Sequence, residues 1–373
     1  MMPPSDVPNA RLHHQRLTSP QFRKPADVVR WLGAVQAQEY SQAKWGIGQR
    51  MRRATDDVVE RAFAEGAILR THVLRPTWHF VAPEDIRWML ELTAPRVRAS
   101  IGSYSRKMSV DAAILKRSHR VLEAALSGGR QLTRGVLRQA LQRKGIATDS
   151  IRFILMLIHA ELDGLICSGP RVGRQFTYTL LDERAPGHRA LTRDRALSEL
   201  AERYFTSRGP ATLQDFVWWS GLTTADARAA IEMAGRRLVR EQIDGSVCWL
   251  SSSTEAVARL PRAAYLLPVY DEYLVAYKDR SAVIDPRYCK PGTNVLFGST
   301  IVVNGRVVGT WRSTQREHET LVTLSPFVPL SGRARRAVVD AARRYGTFLG
   351  QTVRLEIAAR SRYALIPQTR AAV

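Results

Sequence analysis

Two glutamines one residue apart, Gln36 and Gln38 in Val35-Gln36-Ala37-Gln38, are the side chains whose type and spacing best suit shared chemistry. A primary amide carries one acceptor oxygen and two N–H donors. Two amides on one edge can therefore hold a water molecule and a neighbouring oxygen without adding net charge. Sharing a site makes a demand on the backbone. In a helix, residues i and i+2 face different ways, whereas in an extended or turn segment they point the same way. Ala37 is small enough to leave the space between them open. Spacing alone favours the plainer reading of solvated or backbone-capping amides, so the rest of the chain has to decide.

Upstream, Lys24-Pro25-Ala26-Asp27 reads as a helix start, and Val28, Trp31, Leu32 and Val35 repeat at the interval of a buried helical face. A helix therefore leads into the glutamines. Lys44 to Arg50 breaks the periodicity, a second helix runs from Asp56 to Glu65, and Ile68 to Val81 alternates apolar with basic residues as a two-stranded hairpin. Helix, helix and basic hairpin outline a winged helix.

The outline recurs twice. Ala112 to Leu126, Leu132 to Leu141 and Ile151 to Leu162 read as helices, followed by strands around Ile166 and Phe176. Thr192 to Tyr204, Ala211 to Leu222 and Thr224 to Gly235 read as helices before two strands joined at Asp244-Gly245. Trp218 and Trp219, inside one of these helices, read as core. Past residue 257 come an aromatic and charged segment, Tyr265 to Arg280, and a hairpin turning at Asn304-Gly305. A helix from Arg333 to Tyr345 and a strand from Val353 to Ile357 close the chain. The expected fold class is α+β and mainly helical. It has three tandem winged-helix modules, 1–105, 106–183 and 184–256, in a C-shaped arrangement, and a small C-terminal α+β domain, 257–373, with strands curled into a partial β-barrel.

Composition narrows the partner. The chain has 373 residues, 45% of them hydrophobic, in keeping with a soluble globular protein of several domains. With 56 Lys and Arg against 34 Asp and Glu, the net charge is +22, spread along the whole length. This predicts a polyanionic partner, and in a chain with no apolar run near the roughly 20 residues that span a bilayer, it points to nucleic acid over membrane. The amino terminus lacks the profile of a signal peptide, so the expected location is the cytoplasm. Cys167, Cys248 and Cys289 are odd in number and far apart, which predicts neither a disulfide framework nor a metal cluster. No metal or cofactor is expected.

The chain resembles the AlkZ-like DNA glycosylases, winged-helix proteins that cleave alkylated bases from DNA, some of them unhooking interstrand crosslinks made by bacterial natural products. The resemblance spans nearly the whole chain. It rests on Gln36-Ala37-Gln38, which fits a glutamine-apolar-glutamine motif, on Asp215-Phe216-Val217-Trp218-Trp219-Ser220-Gly221-Leu222, and on Val269-Tyr270-Asp271-Glu272-Tyr273 through Tyr277-Lys278-Asp279-Arg280. Thr77-Trp78-His79-Phe80 adds support. A related branch has aspartate in place of the second glutamine, and Gln38 aligns this chain with the self-resistance or broad alkyl-purine branch.

The resemblance implies a chemistry that two amides can serve. Alkylation at N7 or N3 puts positive charge on the purine, which makes it a good leaving group. The enzyme has to expose the nucleotide, shelter an oxocarbenium-like sugar and hold a water molecule. Gln36 and Gln38 are the catalytic candidates, with Gln38 orienting water and Gln36 fixing sugar or phosphate. Water as nucleophile implies a monofunctional enzyme acting as a monomer on double-stranded DNA. The expected DNA contacts are Lys44, Arg70, His72, Arg75, Arg171, Arg174, Arg236, Arg237 and Arg306. His79, Asp271 and Glu272 are candidates for supporting the site, the two carboxylates alternatively pairing with Arg280 or Lys278. The competing readings are a non-enzymatic winged-helix transcriptional regulator, which would call for a dimerisation helix, and a structured-RNA binder, which would call for an aromatic platform.

Overall fold

Three times the chain runs helix, strand, helix, helix, strand, strand, and each time the strands form a sheet in the order first, third, second. The structure, a computed structural model, describes residues 2–187, 189–253, 263–288, 295, 298–317 and 319–358. Cys289 lies outside the described residues. Helix α1 (Val7–His14) precedes the first unit, which comprises α2 (Pro25–Leu32), β1 (Ala34–Gln36), α3 (Tyr40–Gly48), α4 (Asp56–Ala64), β2 (Leu69–His72) and β3 (Trp78–Val81). After the long α5 (Ile86–Lys107) come α6 (Ala112–Leu126), β4 (Leu132–Thr133), α7 (Arg134–Arg143), α8 (Ser150–Leu162), β5 (Ile166–Val172) and β6 (Gln175–Leu180). Helix α9 (Leu181–Arg184) leads to α10 (Arg193–Arg208), β7 (Ala211–Thr212), α11 (Leu213–Ser220), α12 (Thr224–Ala234), β8 (Leu238–Ile243) and β9 (Ser246–Ser251).

Local chemistry sets many of these boundaries. Thr55, Asp111, Asp149, Thr192 and Thr223 each cap a helix by accepting a backbone N–H, and Thr212 and Asp215 form a reciprocal capping box at the start of α11. The β8–β9 turn places Asp244 and Gly245 at φ 47° and 73°, the left-handed pair that a two-residue hairpin needs.

The remaining elements are β10 (Ala264–Leu267), α13 (Glu272–Val275), β11 (Ser299–Val303), β12 (Arg306–Gln315), β13 (Glu319–Pro326), α14 (Gly332–Leu349) and β14 (Thr352–Ile357). Strands β10 to β14 form one curled five-stranded sheet in sequence order, antiparallel except for the final β13–β14 pair. Helix α14 makes that parallel return possible. The core beneath the sheet is continuous with the first unit. Trp45 of α3 packs on Tyr345 and Phe348 of α14, in one buried cluster with Val28, Val29 and Leu32 of α2.

Two expectations need correction here. The segment from Lys44 does not break the periodicity: it completes α3, and Gly48 is required by packing. A Cβ on Gly48 would lie 2.6 Å from the Phe348 ring, and one on Gly46 would lie 3.4 Å from an Asp271 carboxylate oxygen. Trp218 is 43% exposed and is not core, while its neighbour Trp219 is fully buried. Consecutive helical positions point about 100° apart, and in α11 the inward direction is that of Trp219. Among the described residues, no helix is long and apolar enough to cross a membrane, and no cluster of His, Cys, Asp or Glu could hold a metal ion.

Candidate active site

Helix α2 ends at Leu32 because Gly33 turns the chain at φ 73°, and β1 begins one residue later. Among the described residues strand β1 pairs with β3 alone, with Gln36 opposite His79, and has no strand beside its other edge. An open edge leaves backbone groups without partners. Here an ion pair supplies them. Arg208 donates to the carbonyl oxygens of Leu32 and Ala34 at 2.7 and 3.0 Å, and Glu272 Oε1 accepts the main-chain N–H of Gln36 at 3.0 Å. The other oxygen of Glu272 receives Arg208 Nη2 at 2.6 Å and Trp219 Nε1 at 3.0 Å.

Every residue of Gln36-Ala37-Gln38 is thus anchored by another part of the chain. Ala37 donates its N–H to Trp78 O at 2.7 Å and accepts Arg70 Nε at 3.1 Å on its carbonyl. Gln38 Oε1 accepts the N–H of Trp78 at 3.5 Å, and Gln36 Oε1 accepts from Arg75 Nη2 at 2.9 Å. The two amides differ in access. Gln36 is 6% exposed, and Gln38, in the bend after β1, is open to solvent.

His79 is fully buried beside them. Its Nδ1 faces the Thr77 carbonyl at 2.9 Å, so Nδ1 carries the proton and Nε2 is a buried lone pair with no hydrogen-bond partner. Burial, with Arg75 close by, pushes its pKa well below the usual imidazole value, so the ring is neutral.

Asp271 and Glu272 pair with neither Arg280 nor Lys278. Asp271 is held by Arg50 through two bonds of 2.8 and 2.9 Å, and Arg50 also binds both carbonyl oxygens of Gln15. Both carboxylates are buried: Glu272 holds the glutamine strand directly, while Asp271 is engaged by Arg50 and by the Tyr273 N–H at the start of α13.

The nine expected DNA contacts separate by burial. Lys44 is 3% exposed and clasped by Asp56 and Glu60 at 2.7 and 2.6 Å. Arg70 lies between the rings of Trp78 and Phe176, and burial pulls it down to about 10. His72 is bonded to the buried Glu161. Against the expectation that these three meet phosphates, each is buried and already bonded to, or stacked on, other side chains of the protein. Arg75 is tied to Gln36, Arg171 lies 3.6 Å from Glu60 and over Tyr40, and Arg237 bonds Ser198 and Glu202. Arg174, Arg236 and Arg306 are exposed.

Arg208 and Arg50 shape the site although the sequence does not point to them, and Trp219, read there as core, is buried and also donates to Glu272. Trp219 lies within a quoted motif, so its surroundings hinted at it. Nothing local distinguishes Arg208 or Arg50 from the other basic residues. The larger cavity, about 460 Å³, lies between α3, β10 and α14, lined by residues such as Trp45, Arg343, Arg344 and Phe348, and includes neither glutamine.

A family model described as "DNA glycosylase AlkZ-like" matches residues 29–348. The interstrand DNA cross-link repair glycosylase of Streptomyces sahachiroi is 24% identical over 333 residues, which cover 85% of this chain and 88% of that protein. The solved structure of the Streptomyces sahachiroi DNA glycosylase AlkZ aligns with a TM-score of 0.78 at 22% identity, over 95% of this chain and all of that one, and so shares this α+β fold. The chain belongs to the AlkZ-like DNA glycosylase family.

Proposed function

We propose that the protein is a monofunctional DNA glycosylase that hydrolyses the N-glycosidic bond of purines made cationic by alkylation at N7 or N3, working as a cytoplasmic monomer on duplex DNA. The relative's name, an interstrand cross-link repair glycosylase, extends the candidate substrates to crosslinked purines. The three units with sheet order first, third, second are read as winged helices, with Arg174, Arg236 and Arg306 meeting phosphates.

The observation that carries this reading is the anchored Gln36-Ala37-Gln38 segment: two neutral amides held on a strand whose open edge is closed by a buried ion pair. A leaving group that is already cationic needs no strong acid, and hydrolysis needs a water held against the sugar as the bond to the base breaks. The exposed Gln38 takes that water on its carbonyl oxygen, while Gln36 donates to a sugar or phosphate oxygen. Neutral His79 adds no positive charge near a developing oxocarbenium ion.

The test is excision of N7-methylguanine from duplex DNA, scored as alkali-induced strand scission, with Gln36→Ala and Gln38→Ala alongside. Both substitutions are expected to slow excision by on the order of a hundredfold or more, and borohydride is expected to trap no protein–DNA adduct. Excision that survives both changes removes the mechanism.

A further inference from the structure

The contact between Arg75 and Gln36 decides which way round one of the two amides stands. Arg75 Nη2 donates to Gln36 Oε1 at 2.9 Å. A guanidinium has five donors and no acceptor, so the atom facing it must be the amide oxygen; the opposite flip would set N–H against N–H. The cross-strand neighbour His79 presents a lone pair at Nε2 and so does not compete as a donor. Arg75 therefore sets the orientation of the Gln36 amide.

The loop that carries Arg75 is itself constrained. Leu74 holds the left-handed region at φ 65°, its N–H bonded to Thr93 Oγ1 at 3.1 Å. Its carbonyl oxygen rests against Gly221, where a Cβ would lie only 2.2 Å away. Gly221 closes α11 at φ 69°, in the same motif whose Trp219 donates to Glu272. The side chain that sets Gln36 and the carboxylate that holds its backbone are thus both supported by α11.

We infer that Arg75 is a positioning residue for glycosidic hydrolysis: it ties down the carbonyl of Gln36, so that this amide meets the nucleotide as a hydrogen-bond donor and Gln38 is the amide that accepts from water. The inference rests on the glycosylase reading of the glutamine pair. It takes Arg75 out of the set of phosphate contacts and makes the two glutamines chemically unequal: the buried Gln36 oxygen is held by a guanidinium at 2.9 Å, whereas the exposed Gln38 oxygen has only the Trp78 N–H at 3.5 Å and keeps a lone pair for water.

The experiment is single-turnover excision of N7-methylguanine by the full chain, with duplex affinity measured in parallel, for Arg75→Met, Arg75→Lys, Gln36→Ala and the Gln36→Ala/Arg75→Met pair. Arg75→Met is expected to slow the single-turnover step by on the order of ten- to a hundredfold, with duplex Kd within about twofold of wild type. Arg75→Lys, which keeps a donor, recovers most of the rate, and Arg75→Met adds nothing in the Gln36→Ala background. Multiplicative losses in the pair, or a loss carried by Kd, overturn the inference. If Gln36→Ala slows excision and Arg75→Met does not, the positioning role fails alone; if Gln36→Ala leaves excision intact, the glycosylase reading of the pair fails with it. Gln36→Glu gives a second reading should Arg75→Met not fold. Its carboxylate still pairs with Arg75 but has no donor, so it is expected to fold and to excise as slowly as Gln36→Ala, and full activity would overturn the inference.

Discussion

Glu272 Oε1 accepts the main-chain N–H of Gln36 at 3.0 Å, joining residues 236 positions apart, and the other oxygen of the same carboxylate receives Arg208 and Trp219. The carboxylate and its arginine do for β1 what another strand would do. Removing one partner strands the other as a buried charge, which costs about 3–5 kcal/mol. Glu272→Ala and Arg208→Met are each expected to lower the unfolding free energy measured in urea by that amount. The double change Glu272→Leu with Arg208→Met is expected to regain part of the stability and none of the excision rate, because Ala34 O and Gln36 N stay without partners. Recovery of excision in the double variant would show that the strand keeps its place unaided.

The wings give a prediction that separates exposed from interior cations. Arg174, Arg236 and Arg306 are exposed, and Lys44 is enclosed by Asp56 and Glu60. Each phosphate contact removed is expected to flatten the dependence of log K on log salt by about 0.9. Alanine at 174, 236 or 306 should therefore change that slope and shift stability by no more than about 0.5 kcal/mol. Lys44→Ala should do the reverse, lowering Tm and leaving the slope alone. Titrations by fluorescence anisotropy at several salt concentrations would decide it, and an unchanged slope for all three exposed arginines would clear the wings of phosphate contact.

What the chain spells out locally can be read from it, and what depends on distant partners cannot. The periodicity of α6 places its ends at Ala112 and Leu126, and the Asn304-Gly305 pair, at φ 49° and 78°, makes the β11–β12 turn where such a pair must. The strand at Gln36 stays open in the sequence, because Val35 keeps the helical interval of Val28, Trp31 and Leu32 and Ala37 suits a helix; Gly33, at φ 73°, ends α2 before it. Helix α3 was hidden because Gly46 and Gly48 look like breakers until distant side chains come against them, Asp271 and Pro268 at Gly46 and Phe348, three hundred residues on, at Gly48. The charged residues were hidden for a related reason. Arg70 and Arg208 are indistinguishable in sequence from Arg174, and only the rings of Trp78 and Phe176, or the carboxylate of Glu272, make them interior.

Gly221 gives a test of that long-range packing. A Cβ there meets Leu74 O at 2.2 Å, and the residue sits at φ 69°. Left-handed backbone alone costs an L-residue about 1–2 kcal/mol. Gly128, at φ 82° with open space around it, isolates that share. Gly128→Ala should therefore cost about 1 kcal/mol and leave excision unchanged. Gly221→Ala should cost more and slow excision as well, since relieving the clash moves the loop carrying Arg75. Equal losses for the two variants would show that the Leu74 carbonyl yields without consequence.

Acid stability offers the last prediction. His14 is buried with Nδ1 at 2.6 Å from the Gly209 carbonyl, and its pKa falls from 6.5 to about 4, through burial first and then the nearby charges of His13 and Arg16, against the pull of that carbonyl. The unfolded imidazole takes its proton near pH 6.5 and the folded one only near pH 4, so between those values acid favours the unfolded chain. The stability held by a neutral His14 is complete above pH 6.5, and up to about 3 kcal/mol of it is lost as pH falls to 4. His79, His119 and His159 are shifted down as well, so His14→Gln removes one share of the slope and not all of it. Urea midpoints from pH 7.5 to 4 should converge for the two proteins as pH drops, the wild type having fallen further. Parallel curves would mean that His14 takes up its proton alike in the folded and unfolded chains, and a wild type that gains stability toward pH 4 would reverse the sign.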